Sequence, residues 1–431
     1  MPKKFTIIGA GSKFSFGIAA DLIREPAFAD STLALVDPSE QALDTSTRIV
    51  KRMVETAGSS LTIESSSNRR DVIADSDYVL NSIAVGEPFA RERDVEIGER
   101  YGIYQPTSQT VGPAGYCRGL RVLPHAVDIA RDTAERAPNA TIIDLANPLA
   151  AVCRSMIREG GLPVIGLCEQ WAFTKRFFAR VLNADPDSLE LLSVGTNHLT
   201  WALGLEHEGR DVLPELIDAF YQPGNEDLLA EVPVSDHVYR AFGVWPTGTE
   251  DHIAEFFNDF LTPETNGGAD FGMSIRHTSE AQWEDRWKER EALASGDAPI
   301  DDLLGPSGEN AVDIIAMLEG IHPPGFEMVN IPNNGLIDNL PDHAIVELPA
   351  HVGPLGVRGL KVGPLPDAVR EILSARITQQ ELHIDAAISG DRNLAVRGLY
   401  FDAQIPSVDT GAKILGESLA ANAEFYPKFA N

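Results

Sequence analysis

The sequence predicts an α/β protein, a doubly wound parallel sheet of the Rossmann type followed by a C-terminal α+β half. Three observations carry this expectation. Phe5-Thr6-Ile7-Ile8 is a short apolar strand that runs directly into Gly9-Ala10-Gly11-Ser12 and then into a helix whose apolar face includes Ile18, Leu22 and Ile23. The next strand, residues 32–36, ends at Asp37. Further apolar runs at 78–83, 141–145 and 163–167 alternate with helical stretches, as parallel strands joined by crossover helices do.

The first unit reads as a dinucleotide-binding beginning. Glycines let the backbone approach a pyrophosphate, which then rests on a helix N-terminus where free N–H groups and the helix dipole favour an anion. The third glycine of the full fingerprint is absent, so weight falls on Asp37, placed to accept the two hydroxyls of an adenosine ribose and so to prefer NAD over its 2′-phosphorylated form. The bland alternative is an ordinary βαβ unit with a polar turn.

Composition narrows the partners. A chain of 431 residues is ample for a large core and for two or three domains. With a formal net charge of −29 it offers no basic stripe to displace counterions from phosphates, which argues against nucleic acid as a partner. Three cysteines do not make a disulfide framework. The N-terminus shows no signal-peptide pattern and no later run approaches a membrane span, so the expected location is the cytoplasm, away from any membrane.

In chain order, a helix is expected over 40–56, then a polar segment, then the strand at 78–83, whose end faces the ligand crevice. Arg91, Arg93, Asp94 and Glu96 are expected on a charged helix, as a solvated face or a subunit contact. Residues 112–119, rich in glycine and carrying Arg118, read as a substrate loop ahead of a helix over 122–136. The strand at 141–145 leads to Asn147-Pro148, which points the Asn147 amide into the crevice. Beyond 198 the order is less regular. A loop over 242–252 that enters a helix over 253–260, a charged helix over 279–295 with Trp283 and Trp287 packed one turn apart, clustered amides on turns at 329–335, a strand at 344–348 and a loop at 351–366 precede three closing helices.

One stretch stands out for its chemistry. The apolar run ending Gly166-Leu167 delivers Cys168, Glu169 and Trp171 to one place, and a second run over 189–194 precedes Asn197-His198. A thiolate is a soft anionic ligand for a divalent metal and an imidazole is its natural companion. A helix and a returning strand between them would bring both to one edge of the sheet. The bland reading is a buried thiol and a satisfied core histidine.

Together these stretches resemble the family 4 glycoside hydrolases, NAD- and manganese-dependent glycosidases of lactate/malate dehydrogenase-like fold. Residues 9–12, 112–124, 147–148, 166–168, 197–198, 330–341 and 346–349 come in that family's order. The resemblance implies two domains, 1–196 binding NAD through Gly9, Gly11, Ser12, Asp37 and Asn147, and 197–431 for substrate and metal. It implies that Cys168 and His198 hold Mn²⁺ or another divalent metal, and that Asn147, Arg118 and Asn197 bind the sugar. It further implies a cycle in which NAD⁺ takes a hydride from C3, the C2 proton becomes acidic beside the ketone, the aglycone is eliminated, water adds and the hydride returns. Asp251 is the candidate C2 base, with His252 beside it; Glu169 is the candidate acid for the leaving group, although the family carries aspartate or histidine there. The stretch 248–257 resembles the branch acting on non-phosphorylated sugars or uronic acids. The expected substrate is a small carbohydrate, an α-glucoside, α-galactoside or glucuronide or galacturonide, and the expected assembly is a homodimer or homotetramer. Two rival readings are a hydroxy acid or sugar dehydrogenase with net NADH production, in which His198 transfers a proton, and a non-catalytic NAD-binding sensor.

Overall fold

The computed structural model describes residues 2–430. The parallel half of its sheet runs in the order Thr62–Ser66, Thr32–Val36, Lys4–Ile8, Tyr78–Asn81, Thr141–Asp144, Val164–Gly166, the order of a dinucleotide-binding fold. Period-two alternation explains why the inner strands are apolar on both faces. Phe5, Ile7, Leu33, Leu35, Leu80 and Ile143 enter one core, whereas Ile8, Ala34, Val36, Val79 and Ile142 enter the other. Both faces are therefore covered by helices, as parallel sheets require. Thr62–Ser66 lay hidden in the segment expected to be merely polar, because it is the edge strand and buries little.

The sheet then continues with antiparallel strands. Gly325–Pro332 pairs with Val164–Gly166, and Ile345–Gly353, Leu189–Thr196, Leu199–His207 and Trp245–Thr247 follow in that order. Leu189–Thr196 is thus not the returning neighbour of the cysteine-bearing strand. Two strands from far down the chain lie between them, and the row Gly166, Asn330, Glu347, Gly195 crosses the sheet at this junction.

Several local expectations are corrected. Residues 112–119 are not a loop: Gly112–Arg136 is one helix, with Pro113 in its first turn, where a missing N–H costs nothing. Its glycines serve close packing, since a Cβ on Gly119 would lie 2.1 Å from His383 Cε1. Asp94 is not on a solvated face but fully buried, paired with Arg121, whose guanidinium also donates to Tyr426 Oη at 2.7 Å. Asn422 Nδ2 donates to the same carboxylate at 2.9 Å. The helix expected over 253–260 is instead the short Glu250–Ala254, with turns over 255–260, and the loop at 351–366 contains the strand Gly356–Gly359. Trp283 and Trp287 pack edge-on at 6.2 Å as expected and are half-buried. No helix among the described residues is long and apolar enough to cross a membrane.

The Asp94–Arg121 pair joins Phe89–Arg100, Gly112–Arg136 and the C-terminal segment. Burial raises the Asp94 carboxyl to about 6, with Arg121 pulling the other way. Removing one partner strands the other charge. Asp94→Ala should therefore cost about 3 to 5 kcal/mol in denaturant unfolding; a loss below about 1 kcal/mol would show that the pair anchors nothing.

Candidate active site

The site is built on the row where the two halves of the sheet meet. Asn330 and Glu347 are buried in its middle, and the flanking positions are glycines because nothing larger fits. A Cβ on Gly166 would lie 2.9 Å from Asn330 Cβ, and one on Gly195 would lie 2.2 Å from Leu199 O. Glu347 Oε2 accepts from Asn197 Nδ2 at 2.9 Å, and burial pushes its carboxyl up to about 7. Cys168 follows Gly166 by two residues; burial drives its thiol above the ordinary range, Glu347 adds to this, and the neighbouring Asn197 amide eases it back. A divalent cation at the sulfur is the natural replacement for that proton.

His198 ends the opposite strand in a tight turn at φ +67°, in the left-handed region. A non-glycine residue there costs about 1 kcal/mol or more, a strain typical of functional positions. The ring is buried and stays neutral, because desolvation and the neighbouring His252 both hold it well below the usual histidine range. Its Nδ1 lies 2.8 Å from Thr110 Oγ1. With Nδ1–H donated to that hydroxyl, the Nε2 lone pair is left to bind a metal.

A chain of contacts runs on from His198 back to Glu169. The His198 and His252 rings lie 4.0 Å apart, and His252 is held down to about 4 by burial. Asp251 Oδ1 accepts from Thr249 Oγ1 at 2.5 Å and from His252 N at 3.0 Å. Thr249 in turn donates its N–H to Gln170 Oε1 at 3.0 Å, and its hydroxyl oxygen lies 2.8 Å from the same atom. Gln170 adjoins Glu169, a half-buried carboxyl raised by desolvation. The neighbouring Glu250 has another task, since it receives Val234 N at 2.6 Å at the start of Pro233–Phe242.

Toward the parallel half, Arg118 donates to Asn147 O at 3.2 Å and to Glu87 Oε1 at 2.7 Å. The Asn147 amide faces Gln109 Oε1 at 3.3 Å. A crevice of about 1120 Å³ opens beside them, lined by Gly9, Asp37, Ser39, Gly86, Glu87 and Phe89 among others. Gly9 sits at φ +93°, and a Cβ there would lie 2.8 Å from the Ser82 carbonyl, so the turn admits only glycine. Ser12 closes this turn by donating its N–H to Gly9 O at 2.9 Å. Asp37 accepts Gly11 N at 2.8 Å and Ser39 N at 2.9 Å.

Contacts thus join His198, His252, Asp251, Thr249 and Gln170, the residue after Glu169, and Cys168 lies beside the Asn197 amide that precedes His198 in the chain. Asn197 departs from its expected place on the sugar: it is 1% exposed and spends its amide on Glu347. It supports the thiol and imidazole rather than lining open space. Sequence reasoning missed Thr110, Glu347, Glu255 and Glu309. Glu255 accepts Thr107 N, Thr107 Oγ1 and Ser108 N at 2.7 to 2.8 Å and so fixes the loop that carries Thr110. The signal for Glu255 and Glu347 was present, a lone carboxylate inside an apolar run. Glu309, pushed up to about 7 by burial and by the charge of Glu169, gave none.

No group of three or more His, Cys, Asp or Glu side chains suited to a metal occurs among the described residues. A cation held by Cys168 and His198 therefore needs water or substrate oxygens to complete its shell.

Comparison with known proteins identifies the family and the fold. The model of family 4 glycosyl hydrolases matches residues 4–184, and that of the family's C-terminal domain matches residues 193–405. The chain is 27% identical to an α-galactosidase of Rhizobium meliloti over 99% of its own length and 90% of the relative's. It is 30% identical to an α-galacturonidase of Bacillus subtilis over 79% of this chain and 80% of the other. Among solved structures, a 6-phospho-α-glucosidase from gut microorganisms in complex with NAD and glucose-6-phosphate superposes with a TM-score of 0.84 at 22% identity, covering 99% of this chain and 100% of that one. A 6-phospho-β-glucosidase of Thermotoga maritima with manganese, NAD⁺ and glucose-6-phosphate gives 0.78 at 21%, covering 98% and 99%.

If Thr110 orients the His198 ring, Thr110→Val should weaken Mn²⁺ binding by about tenfold or more in calorimetric titration while leaving the melting temperature within a few degrees. Unchanged affinity would leave that hydrogen bond without a role at the metal.

Proposed function

The chain belongs to family 4 of the glycosyl hydrolases, and on that premise we propose that it is an NAD- and divalent-metal-dependent glycosidase of non-phosphorylated hexosides or uronides. The observation that carries the reading is the run of neighbouring residues from Cys168 and His198 through His252 and Asp251 to Glu169. NAD and manganese bind the solved relatives, and the donor set here suits both groups: a soft thiol beside a neutral imidazole, and a glycine-only turn ending at Asp37. When bound, NAD⁺ supplies a reversible hydride acceptor for a sugar carbon and a divalent metal supplies a Lewis acid for the neighbouring oxygens.

The chain's own residues do the rest. Gly9, Gly11 and Ser12 present backbone to the pyrophosphate, and Asp37 receives the ribose hydroxyls. Cys168 and His198 hold the cation. Asp251 commits Oδ1 to Thr249 and His252 N, which leaves Oδ2 to take the C2 proton. Glu169, raised by burial, is suited to carry a proton to the leaving oxygen. Arg118 and Asn147 form the wall that meets the sugar, with the Arg118 charge already matched by Glu87. Asn197 is assigned to holding the metal pair in place.

We divide the work as 1–196 for the cofactor and 197–431 for metal and sugar, and place a homodimer or homotetramer in the cytoplasm, where three free cysteines are at home. The names of the α-galactosidase and α-galacturonidase relatives support a non-phosphorylated sugar.

A panel of nitrophenyl hexosides, uronides and 6-phosphohexosides should show aglycone release that needs both NAD⁺ and Mn²⁺, without net NADH. Cys168→Ser and Asp251→Asn should each lower kcat/KM by about a hundredfold or more. Stoichiometric NADH with no aglycone would leave a dehydrogenase, and preference for the 6-phosphosugars would move the substrate to the other branch.

A further inference from the structure

The helix Glu280–Ser295 belongs by sequence to the C-terminal half, yet it lies against the glycine turn of the first strand. It is tied down at both ends. Toward its C-terminus, Glu291 accepts from Thr45 Oγ1 at 2.5 Å and from Arg48 Nη2 at 2.9 Å, and Arg52 donates to Leu293 O. At its N-terminus, Ser279 and Gln282 form a capping box, Thr278 N donates to Glu92 Oε1 at 3.0 Å, and the Trp283 ring meets Phe89 edge-on at 6.1 Å. Thr278 and Glu280 line the same crevice as Gly9 and Asp37. The helix is therefore a strap from one wall of that crevice to the other.

Arg290 sits on this strap over the turn. Its Nη1 donates to Gly11 O at 2.7 Å, the residue whose own N–H is bound to Asp37. The guanidinium lies 5.6 Å from the centre of the Phe16 ring and 5.8 Å from that of Trp287. That is the only hydrogen bond it makes among the described residues, and no carboxylate comes within ion-pair range, although the chain carries 64 acidic against 35 basic side chains. Burial pulls its charged form down and Arg286 adds to this, with Asp37 opposing. A partly desolvated cation with no ion-pair contact among the described residues, held against two aromatic rings, is ready for an anion.

We propose that Arg290 is a cofactor-binding residue supplied from outside the glycine-turn domain, gripping the pyrophosphate of the dinucleotide from the strap helix Glu280–Ser295. The proposal rests on the NAD reading above. Its physical need is plain: a protein of net charge −29 repels the doubly charged pyrophosphate unless cations stand at the phosphates. A guanidinium has donors enough to keep Gly11 O and still take two phosphate oxygens.

The test is binding, without sugar or turnover. NAD⁺, ADP-ribose and adenosine are titrated by calorimetry and tryptophan fluorescence into the wild type, Arg290→Gln and Arg290→Lys. The expected result is an affinity loss of about tenfold or more for NAD⁺ and ADP-ribose in Arg290→Gln, a smaller loss in Arg290→Lys, and adenosine within about twofold throughout. Should the Gln variant not fold, Arg290→Met keeps the aliphatic stem between Phe16 and Trp287 and serves in its place. NAD⁺ binding within about twofold of wild type in the variant would overturn the proposal, as would an equal loss for adenosine, which would put Arg290 on the nucleoside. A wild type that binds no NAD⁺ overturns the cofactor reading itself, and the proposal with it.

Discussion

Everything near the active site depends on one buried carboxylate. Glu347 lies in the row where the sheet changes from parallel to antiparallel, between the strand that carries the cysteine and the strand that carries the histidine. A charged group there would be costly unless paired, and here Asn197 donates to it while Asn330 supplies a second amide. The two glycines beside it are the space that this polar row requires. Because Asn197 precedes His198, the polar row and the candidate metal pair form a single construction: the amide that satisfies Glu347 also approaches the Cys168 thiol.

A second constraint holds the mobile-looking parts in register. Glu255 gathers the backbone at Thr107 and Ser108, two to three residues before the Thr110 hydroxyl that meets His198. It also belongs to the segment that follows Asp251 and His252. One side chain thereby couples the position of the candidate base to the orientation of the imidazole. The strap helix does something comparable on the cofactor side, linking Phe89 and Glu92 to the helix Glu40–Ala57 across the crevice.

What was legible in the sequence follows the range of the forces involved. Glycines at 9 and 11, Asp37 at the end of a strand and two-period apolar runs are local signals, and the parallel half came out as expected apart from its edge strand Thr62–Ser66. Cys168 and His198 were legible as chemistry, because a thiol and an imidazole at strand ends suit a metal whatever lies between them. What lies between them was not legible: Asn330 meets Gly166, and Glu347 meets Gly195, only through pairings across much of the chain. Residues 112–119 read as a loop because glycines there signal flexibility locally, whereas in the fold they let His383 and the backbone at Thr110 come close. Asp94 was lost in a charged helix for the same reason, since its partner Arg121 lies on another element.

The central claim is that the thiol, imidazole and carboxylates serve a cycle in which the C2 proton is lost and replaced before the sugar is released. The most direct measurement is hydrolysis of the best substrate in D₂O, with NAD⁺ and Mn²⁺ present, followed by proton NMR of the product. The account predicts one deuterium at C2 in each released sugar, with Asp251→Asn slowing aglycone release and deuterium incorporation in step. Full release of aglycone with the C2 proton retained would contradict it and would point to direct displacement at C1.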